Sequence, residues 1–183
     1  WNSYGWPRVA PYPGKLRESL KKAGGDVPVY GIGASGGMIT PELAAEGPIG
    51  IIGSGPAAGV VGCAYLAEQQ GIKNLITFDM GGTTCKASII EDGEFTQSVE
   101  YEVGGGIHRA SRLLKGKGYV LRVPSIDIAE IGAGGGSILR VDVGGALHIG
   151  PESAGASPGP ACYDHGGEDA TLTDANLVLG YLN

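Results

Sequence analysis

Apolar positions change their period along this chain, and the changes predict its elements. The opening "WNSYGWPRVAPYPGK" has neither period and is rich in aromatics and proline, so an irregular lead-in is expected. "LRESLKKAG" carries a short helical pattern that Gly24-Gly25 stops. "VPVYGIG" and "IGIIG" are short apolar runs of the kind that form buried strands. "SGGMITPELAAEG" between them is a loop with a helical turn after Pro41. The clearest helix follows, from Pro56 to Gln70. Ser54 or Gly55 can cap it, Pro56 suits its first turn and Gly71 ends it. Its small residues, Ala57, Ala58, Gly59, Gly62 and Ala64, permit close packing on a sheet.

"NLITFDM" predicts a strand. "CKASIIEDGEFTQSVEYEV" predicts a hairpin, because Asp92-Gly93 is a strong two-residue turn signal. "YVLRVPSIDIAEIG" is strand-rich, and "SILRVDVGGALHIG" predicts a second hairpin turning at Gly144-Gly145. "PESAGASPGPACYDHGG" is a long Gly/Pro loop of the kind that is functional or disordered. "TLTDANLVLGYLN" predicts a closing helix capped by Thr173, with Asp174 in the first turn, where its charge suits the dipole. That helix stops abruptly, and one piece of a longer protein is expected. The class is α/β, with a lead-in over 1–27 and one domain over 28–183.

Composition narrows the picture. A chain of 183 residues, 42% apolar and 17% charged, can fold around a sizeable core. Its 35 glycines far exceed average usage, which is roughly 7%. They cluster in "GIGASGG", "DMGGTT", "VGGG" and "GAGGGS", where glycine lets backbone approach a ligand or take positive φ. A net charge of −6 disfavours nucleic acid as a partner. The basic stretch from Arg109 to Arg122 is either a solvated loop or an anion-facing strip. Cys63, Cys85 and Cys162 form no CxxC pair, so neither a disulfide framework nor a zinc site is expected, and a reducing, cytoplasmic location is. The opening residues lack a signal-peptide pattern, and no apolar run approaches the ~20 residues of a membrane span.

Two glycine loops compete to hold a nucleotide. Gly53-Ser54-Gly55-Pro56-Ala57-Ala58 follows an apolar run and opens a helix, and Asp79 comes later, as in a dinucleotide-binding unit. "GIGASG" at Gly31 matches the same pattern weakly, because Pro41 breaks the helix that should come after it. A dinucleotide fold needs a crossover helix and a parallel strand after Asp79, yet a hairpin stands there instead. In the competing reading Asp79 ends a strand and Gly81-Gly82 turn tightly. The amides of Gly81 to Thr84 and the hydroxyls of Thr83 and Thr84 then converge on one anion. Asp79 beside them can hold Mg²⁺, directly or through water. Strand, Asp-x-Gly-Gly-Thr, hairpin is the nucleotide clamp of the actin/hexokinase/Hsp70 class. An ordinary strand-to-hairpin turn is the plain alternative.

Five strings, "SGPAAGVVG", "NLITFDMGGTT", "VPSIDIAEIGAGGGSI", "IGPESAGASPGPACY" and "TDANLVLGYL", occur in one order. Together they resemble the hydantoinase A/5-oxoprolinase family, which also contains the ATP-consuming subunits of acetone and acetophenone carboxylases. The resemblance covers about Ser35 to Leu182. It implies an acetate/sugar-kinase-like (actin/hexokinase/Hsp70) ribonuclease-H-like fold, of which this chain is one half. It also implies ATP with Mg²⁺, or Mn²⁺ in its place, and a B-type partner subunit or domain. Asp79, Gly81, Gly82, Thr83 and Thr84 would grip the phosphates. Many members continue this motif with a small residue and Asp, where this chain has Cys85-Lys86. Lys86 either neutralises phosphate charge or projects to solvent, and a two-acid metal scheme is in doubt. The family's earlier Asp-Gly-Gly-Thr motif is missing, so the piece alone is expected to hydrolyse ATP poorly.

Asp127 and Glu130 sit three apart and serve either as metal or general-acid groups or as a buried structural pair. Gly134, Gly135 and Gly136 either let backbone touch adenine or substrate or make a tight turn. His108, His148 and His165 show no ligand spacing, Cys85 reads as a spacer, and Cys162 could be reactive. The leading expectation is the ATP-binding part of an enzyme that opens a cyclic amide (hydantoin, 5-oxoproline or lactam) through phosphorylation of its oxygen. A ketone carboxylase subunit, a Rossmann flavin or nicotinamide protein, and a non-catalytic partner-docking fragment are the alternatives.

Overall fold

A computed structural model describes residues 2–103 and 118–183. His108, the glycines of "VGGG" and the basic stretch as far as Lys117 lie outside these residues. The lead-in is helical where the sequence predicts irregular chain: α1 is Asn2–Val9, and α2, Pro11–Lys22, is the helix expected from Leu16 but begins earlier, at Pro11. Proline misled the pattern here. Pro11 and Pro13 sit in the first turn of α2, where an amide would have no helical partner anyway. β1 (Gly31–Ile32) pairs antiparallel with β2 (Met38–Ile39), so the strand expected over "VPVYGIG" shrinks to two residues. α3 (Pro41–Glu46) is the helical turn expected after Pro41, with the Thr40 hydroxyl accepting from the Leu43 amide. Arg17 of α2 meets Glu42 of α3 at 3.0 Å. "IGIIG" is no strand. Pro48–Ile51 form a 3-10 turn, in which the Gly50 amide donates to the Gly47 carbonyl at 2.9 Å.

α4 spans Ser54–Gln69. Its cap is Gly53 in the left-handed conformation (φ 74°), without a side-chain bond. Ala57, Val60 and Ala67 form the buried face, and Val61 and Ala64 flank it, which is helical spacing. A Cβ on Gly59 or Gly62 would meet nothing within 4 Å, so the close packing comes from alanine and valine and not from those glycines.

The sheet begins as the sequence predicts. β3 (Leu75–Met80) pairs antiparallel with β4 (Cys85–Glu91), and β5 (Glu94–Phe95) returns on β4. Asp92 (φ 53°) and Gly93 (φ 86°) make the primed turn that joins β4 to β5. β6 (Gln97–Ser98), β7 (Tyr101–Val103), β8 (Tyr119–Leu121) and β9 (Ser125–Ile126) form the pairs β6–β9 and β7–β8. β10 (Ala129–Ile131) joins the other edge of β4, which gives the order β10-β4-β3. β11 (Ser137–Val141) and β12 (Leu147–Ser153) are the second hairpin. In its turn the Asp142 carboxylate accepts from the amides of Gly144 and Ala146 at 2.8 and 2.9 Å. α5 (Leu172–Val178) is capped by Thr171 and not by Thr173. Thr171 and Asp174 form a reciprocal capping box, which needs the acid three residues after the cap.

α4 lies on one face of the sheet. Ala57, Val60, Ile90, Ile126 and Ile128 make the core between them. Burying an aliphatic side chain as fully as Ile90 or Ile126 contributes roughly 1.5–3 kcal/mol. Two buried polar residues of this face are satisfied: the Ser88 amide donates to Thr77 Oγ1 at 3.1 Å and Ser88 Oγ to the Asp127 carbonyl at 2.7 Å. On the opposite face Ile76 is 72% and Phe78 67% exposed, while Cys85 is buried. The architecture is α/β, but its strands pair antiparallel. A 3-10 turn precedes α4 and a hairpin comes after β3. Among the described residues, the strand-helix-parallel strand unit that a dinucleotide site at Gly53–Ala58 requires is therefore not formed. No described helix is long and apolar enough to cross a membrane.

Candidate functional site

β3 ends on Asp79 and Met80, and the chain doubles back through Gly81–Thr84 into β4. The Gly81 amide donates to the Thr84 carbonyl at 2.9 Å and closes the turn. Gly81, Gly82, Thr83 and Asp79 are all exposed. From behind, the Gly135 amide donates to the Gly81 carbonyl at 2.9 Å and the Gly136 amide to the Gly82 carbonyl at 2.7 Å. In a trans peptide the carbonyl and the next amide point in opposite directions. Both loop peptides are trans, so holding the Gly81 and Gly82 carbonyls back turns the Gly82 and Thr83 amides outward. Neither amide has a hydrogen-bond partner among the described residues. The sequence suggests four convergent amides over Gly81 to Thr84. The structure corrects this, because the Gly81 amide is spent within the turn.

The glycines behind the loop are required by contact. A Cβ on Gly134 would fall 2.6 Å from both the Gly81 oxygen and the Thr83 nitrogen. One on Gly136 would lie 3.0 Å from the Gly82 oxygen, and one on Gly135 would lie 2.8 Å from Thr173 Oγ1. α5 anchors this second loop: the amide and the hydroxyl of Thr173 both donate to the Gly135 carbonyl at 2.8 Å. Ser137, fully buried, accepts from the Gly134 amide at 2.8 Å. Gly134–Gly136 thus lie against the backbone of Gly81–Thr83.

One row of charge crosses the sheet beside the loop. Asp79 stands opposite Lys86, and Lys86 stands opposite Glu130. Directly opposed residues share a face, here the face that α4 covers. The Lys86 Nζ lies 3.4 Å from Glu130 and donates to the Thr84 hydroxyl. Their side chains are only 20% and 18% exposed, so Lys86 does not project into solvent. Asp79 and Lys86 line a cleft of about 240 Å³ with Pro56, Gly59 and Phe78. Asp127 is not part of the row. It is exposed between β9 and β10, while Glu130 turns to Lys86, so the two acids form neither a shared site nor a buried pair. Among the described residues no group of three His, Cys, Asp or Glu could hold a metal. Asp79 offers one exposed carboxylate, and a cation held there would need its remaining oxygen ligands from elsewhere.

The hydantoinase/oxoprolinase profile matches residues 1–183. The chain belongs to this family. It is 49% identical over 181 residues to an uncharacterized protein of Methanocaldococcus jannaschii, covering 99% of this chain and 26% of that protein. It is 36% identical over 181 residues to caprolactamase subunit alpha of Pseudomonas jessenii, with 99% of this chain and 24% of the relative covered. The nucleotide-free structure of acetone carboxylase superposes with a TM-score of 0.72 at 32% identity, over 93% of this chain and 22% of that one. The chain thus spans about a quarter of the length of these relatives.

In this member of the hydantoinase/oxoprolinase family, sequence reasoning missed two residues. Ser125, on β9, is buried beside Lys86 and Glu130, and nothing in "VPSID" marks its hydroxyl. Asp174 does more than suit a helix dipole. It accepts from the amides of Ala161, Cys162 and Thr171 and from the Thr171 hydroxyl, pinning the Gly/Pro loop to α5. Partial burial raises its pKa. Bonds from the Cys162 and Thr171 side chains, then from their amides, outweigh that and hold it well below the usual carboxylate range. The hydrogen bond to Asp174, then burial and the Asp174 charge, push the Cys162 thiol up, which argues against the reactive cysteine the sequence allowed. His148 pairs with Asp142 at 2.8 Å in the exposed β11–β12 turn.

Proposed function

We propose that Gly81–Thr84 cradles the phosphates of ATP, and that the chain is the nucleotide-binding part of an ATP-dependent enzyme that opens a cyclic amide. The outward pair of amides at Gly82 and Thr83 carries this reading. Two neighbouring amides on an exposed turn make an anion nest, and rigid backing spares it reorganisation when charge arrives. Asp79 would hold Mg²⁺, or Mn²⁺, and the metal would neutralise phosphate charge. Lys86 adds a fixed positive charge two residues beyond the turn. An acetate/sugar-kinase-like fold, shared with a further part of a longer polypeptide, belongs to the same reading.

A cyclic amide resists water because resonance weakens its carbonyl as an electrophile. Transfer of a phosphoryl group to the amide oxygen breaks that resonance and makes the oxygen a leaving group. Water then adds at carbon, and the C–N bond breaks with the nitrogen leaving as a protonated amine. A second water hydrolyses the remaining acyl phosphate to carboxylate and inorganic phosphate. This chain's share is positioning and charge neutralisation. Caprolactamase, a lactam-opening relative by name, supports amide over ketone. The likeness to acetone carboxylase supports a second reading, in which ATP activates a ketone or bicarbonate. A B-type partner subunit and a cytoplasmic setting complete the proposal.

Calorimetric titration of the full-length protein with ATP and Mg²⁺ tests it. Binding is expected, with a loss of at least tenfold in Asp79→Ala, the scale of one charge-assisted contact. No binding by the native protein, or unchanged binding and turnover in the variant, refutes the phosphate clamp.

A further inference from the structure

A second, much smaller cavity lies at the N-terminus of α4. It is lined by Gly53, Pro56, Ser125, Lys86 and Glu130, with isoleucines closing it, and measures about 10 Å³. Ser125 is 3% exposed, and its hydroxyl has no hydrogen-bond partner among the described residues. Buried hydroxyls in folded proteins are rarely left so. The lining also limits what can enter. The Glu130 carboxylate opposes an anion, while the Lys86 ammonium and the positive end of α4 oppose a cation. A neutral molecule that both donates and accepts satisfies all of them. The volume, at the lower end of the roughly 10–15 Å³ that one water occupies, admits nothing larger.

We propose that this cavity is a site for one ordered water, which links the Ser125 hydroxyl to the Lys86–Glu130 pair. Water donates to Glu130, accepts from Lys86 and completes the bonding of Ser125. Ser125 is then a positioning residue. It steadies Glu130 and Lys86, and Lys86 in turn holds the Thr84 hydroxyl at the phosphate loop. Only this last consequence rests on the reading of that loop as a phosphate clamp.

High-resolution crystallography of the native protein and of Ser125→Ala tests the water directly. One density peak within hydrogen-bond distance of Ser125 Oγ and of Lys86 or Glu130, lost in the variant, is expected. A dry cavity, an ion in it, or a Ser125 hydroxyl turned to a protein carbonyl overturns the proposal. Calorimetry with ATP and Mg²⁺ tests the positioning role. Ser125→Ala is expected to weaken binding roughly 2- to 10-fold, the worth of one hydrogen bond. The same change is expected to do nothing further in a Lys86→Met background, whereas equal losses in both backgrounds overturn the role. If the native protein binds no nucleotide, the phosphate reading fails and crystallography still decides the water.

Discussion

Gly134 lies so close to Gly81 that a methyl group on it would sit 2.6 Å from the Gly81 carbonyl oxygen. The obstacle is backbone, which cannot swing aside as a side chain can. Gly134→Ala must therefore push the turn outward or retreat with its own loop. Overpacking of this kind costs about 1–3 kcal/mol. The displaced peptides are those that aim the Gly82 and Thr83 amides, so nucleotide affinity is expected to fall along with stability. Urea unfolding and calorimetric titration of the same sample measure both. A variant with native stability and native affinity would show that the two loops are not packed back to back.

Gly59 supplies the contrast. It lies inside α4, and an added Cβ would meet nothing within 4 Å. Glycine inside a helix is less favourable than alanine by about 1 kcal/mol. Gly59→Ala is expected to raise stability by up to about that amount, read as a higher urea midpoint at unchanged slope. A lower midpoint would mean that α4 packs on its sheet through its glycines after all.

Lys86 and Glu130 are coupled across β4 and β10, one-fifth exposed each. Removing either partner strands a partly buried charge, whereas removing both strands none. Lys86→Met and Glu130→Gln are each expected to cost about 1–2 kcal/mol, less than for a fully buried pair because solvent still screens both groups. The double variant should lose less than the sum. Denaturant unfolding of the four proteins in the cycle gives the coupling, and simple additivity would contradict the pair.

Local signals made part of this fold legible. Asp92-Gly93 announces its own turn, Gly71 stops α4, and the short apolar-rich run from Leu75 to Met80 reads as a strand. The loop at Asp79 was legible for the same reason, since strand, glycine pair and hairpin are neighbours in sequence. The contacts that join distant segments were not. Gly134–Gly136 read equally well as a ligand contact or a turn, because only folding brings them to Gly81–Thr83. The spacing of Asp127 and Glu130 suggested a partnership, yet Asp127 is exposed between β9 and β10 while Glu130 lies on β10 opposite Lys86, its true partner. "IGIIG" misled in the other direction. Its apolar residues favour a strand, but Gly47, Pro48 and Gly50 wind it into a 3-10 turn. α1 and the first turn of α2 were hidden by prolines: Pro7 lies inside α1, whereas Pro11 and Pro13 fall in the first turn of α2, where helices tolerate them.

Asp174 ties α5 to the Gly/Pro loop, and its charge state is expected to set both stability in acid and the reactivity of Cys162. Its folded pKa lies below the ordinary carboxylate value of about 3.9. The stabilisation is therefore complete above that ordinary value and is lost as pH falls through it toward the folded one. Acid titration of stability should show a steeper decline below about pH 4 for the native protein than for Asp174→Asn, which carries no proton to gain. The thiol supplies a second reading of the same bond. Cys162 is exposed, and its pKa is raised chiefly by its hydrogen bond to Asp174. Less thiolate at neutral pH means slow alkylation. Asp174→Asn should speed iodoacetamide labelling of Cys162 several-fold and move its pH profile downward, with peptide mass spectrometry separating it from half-buried Cys63 and buried Cys85. If labelling of Cys162 keeps its native rate and profile in the variant, the carboxylate does not govern the thiol, and the loop is held to α5 by the amide bonds alone.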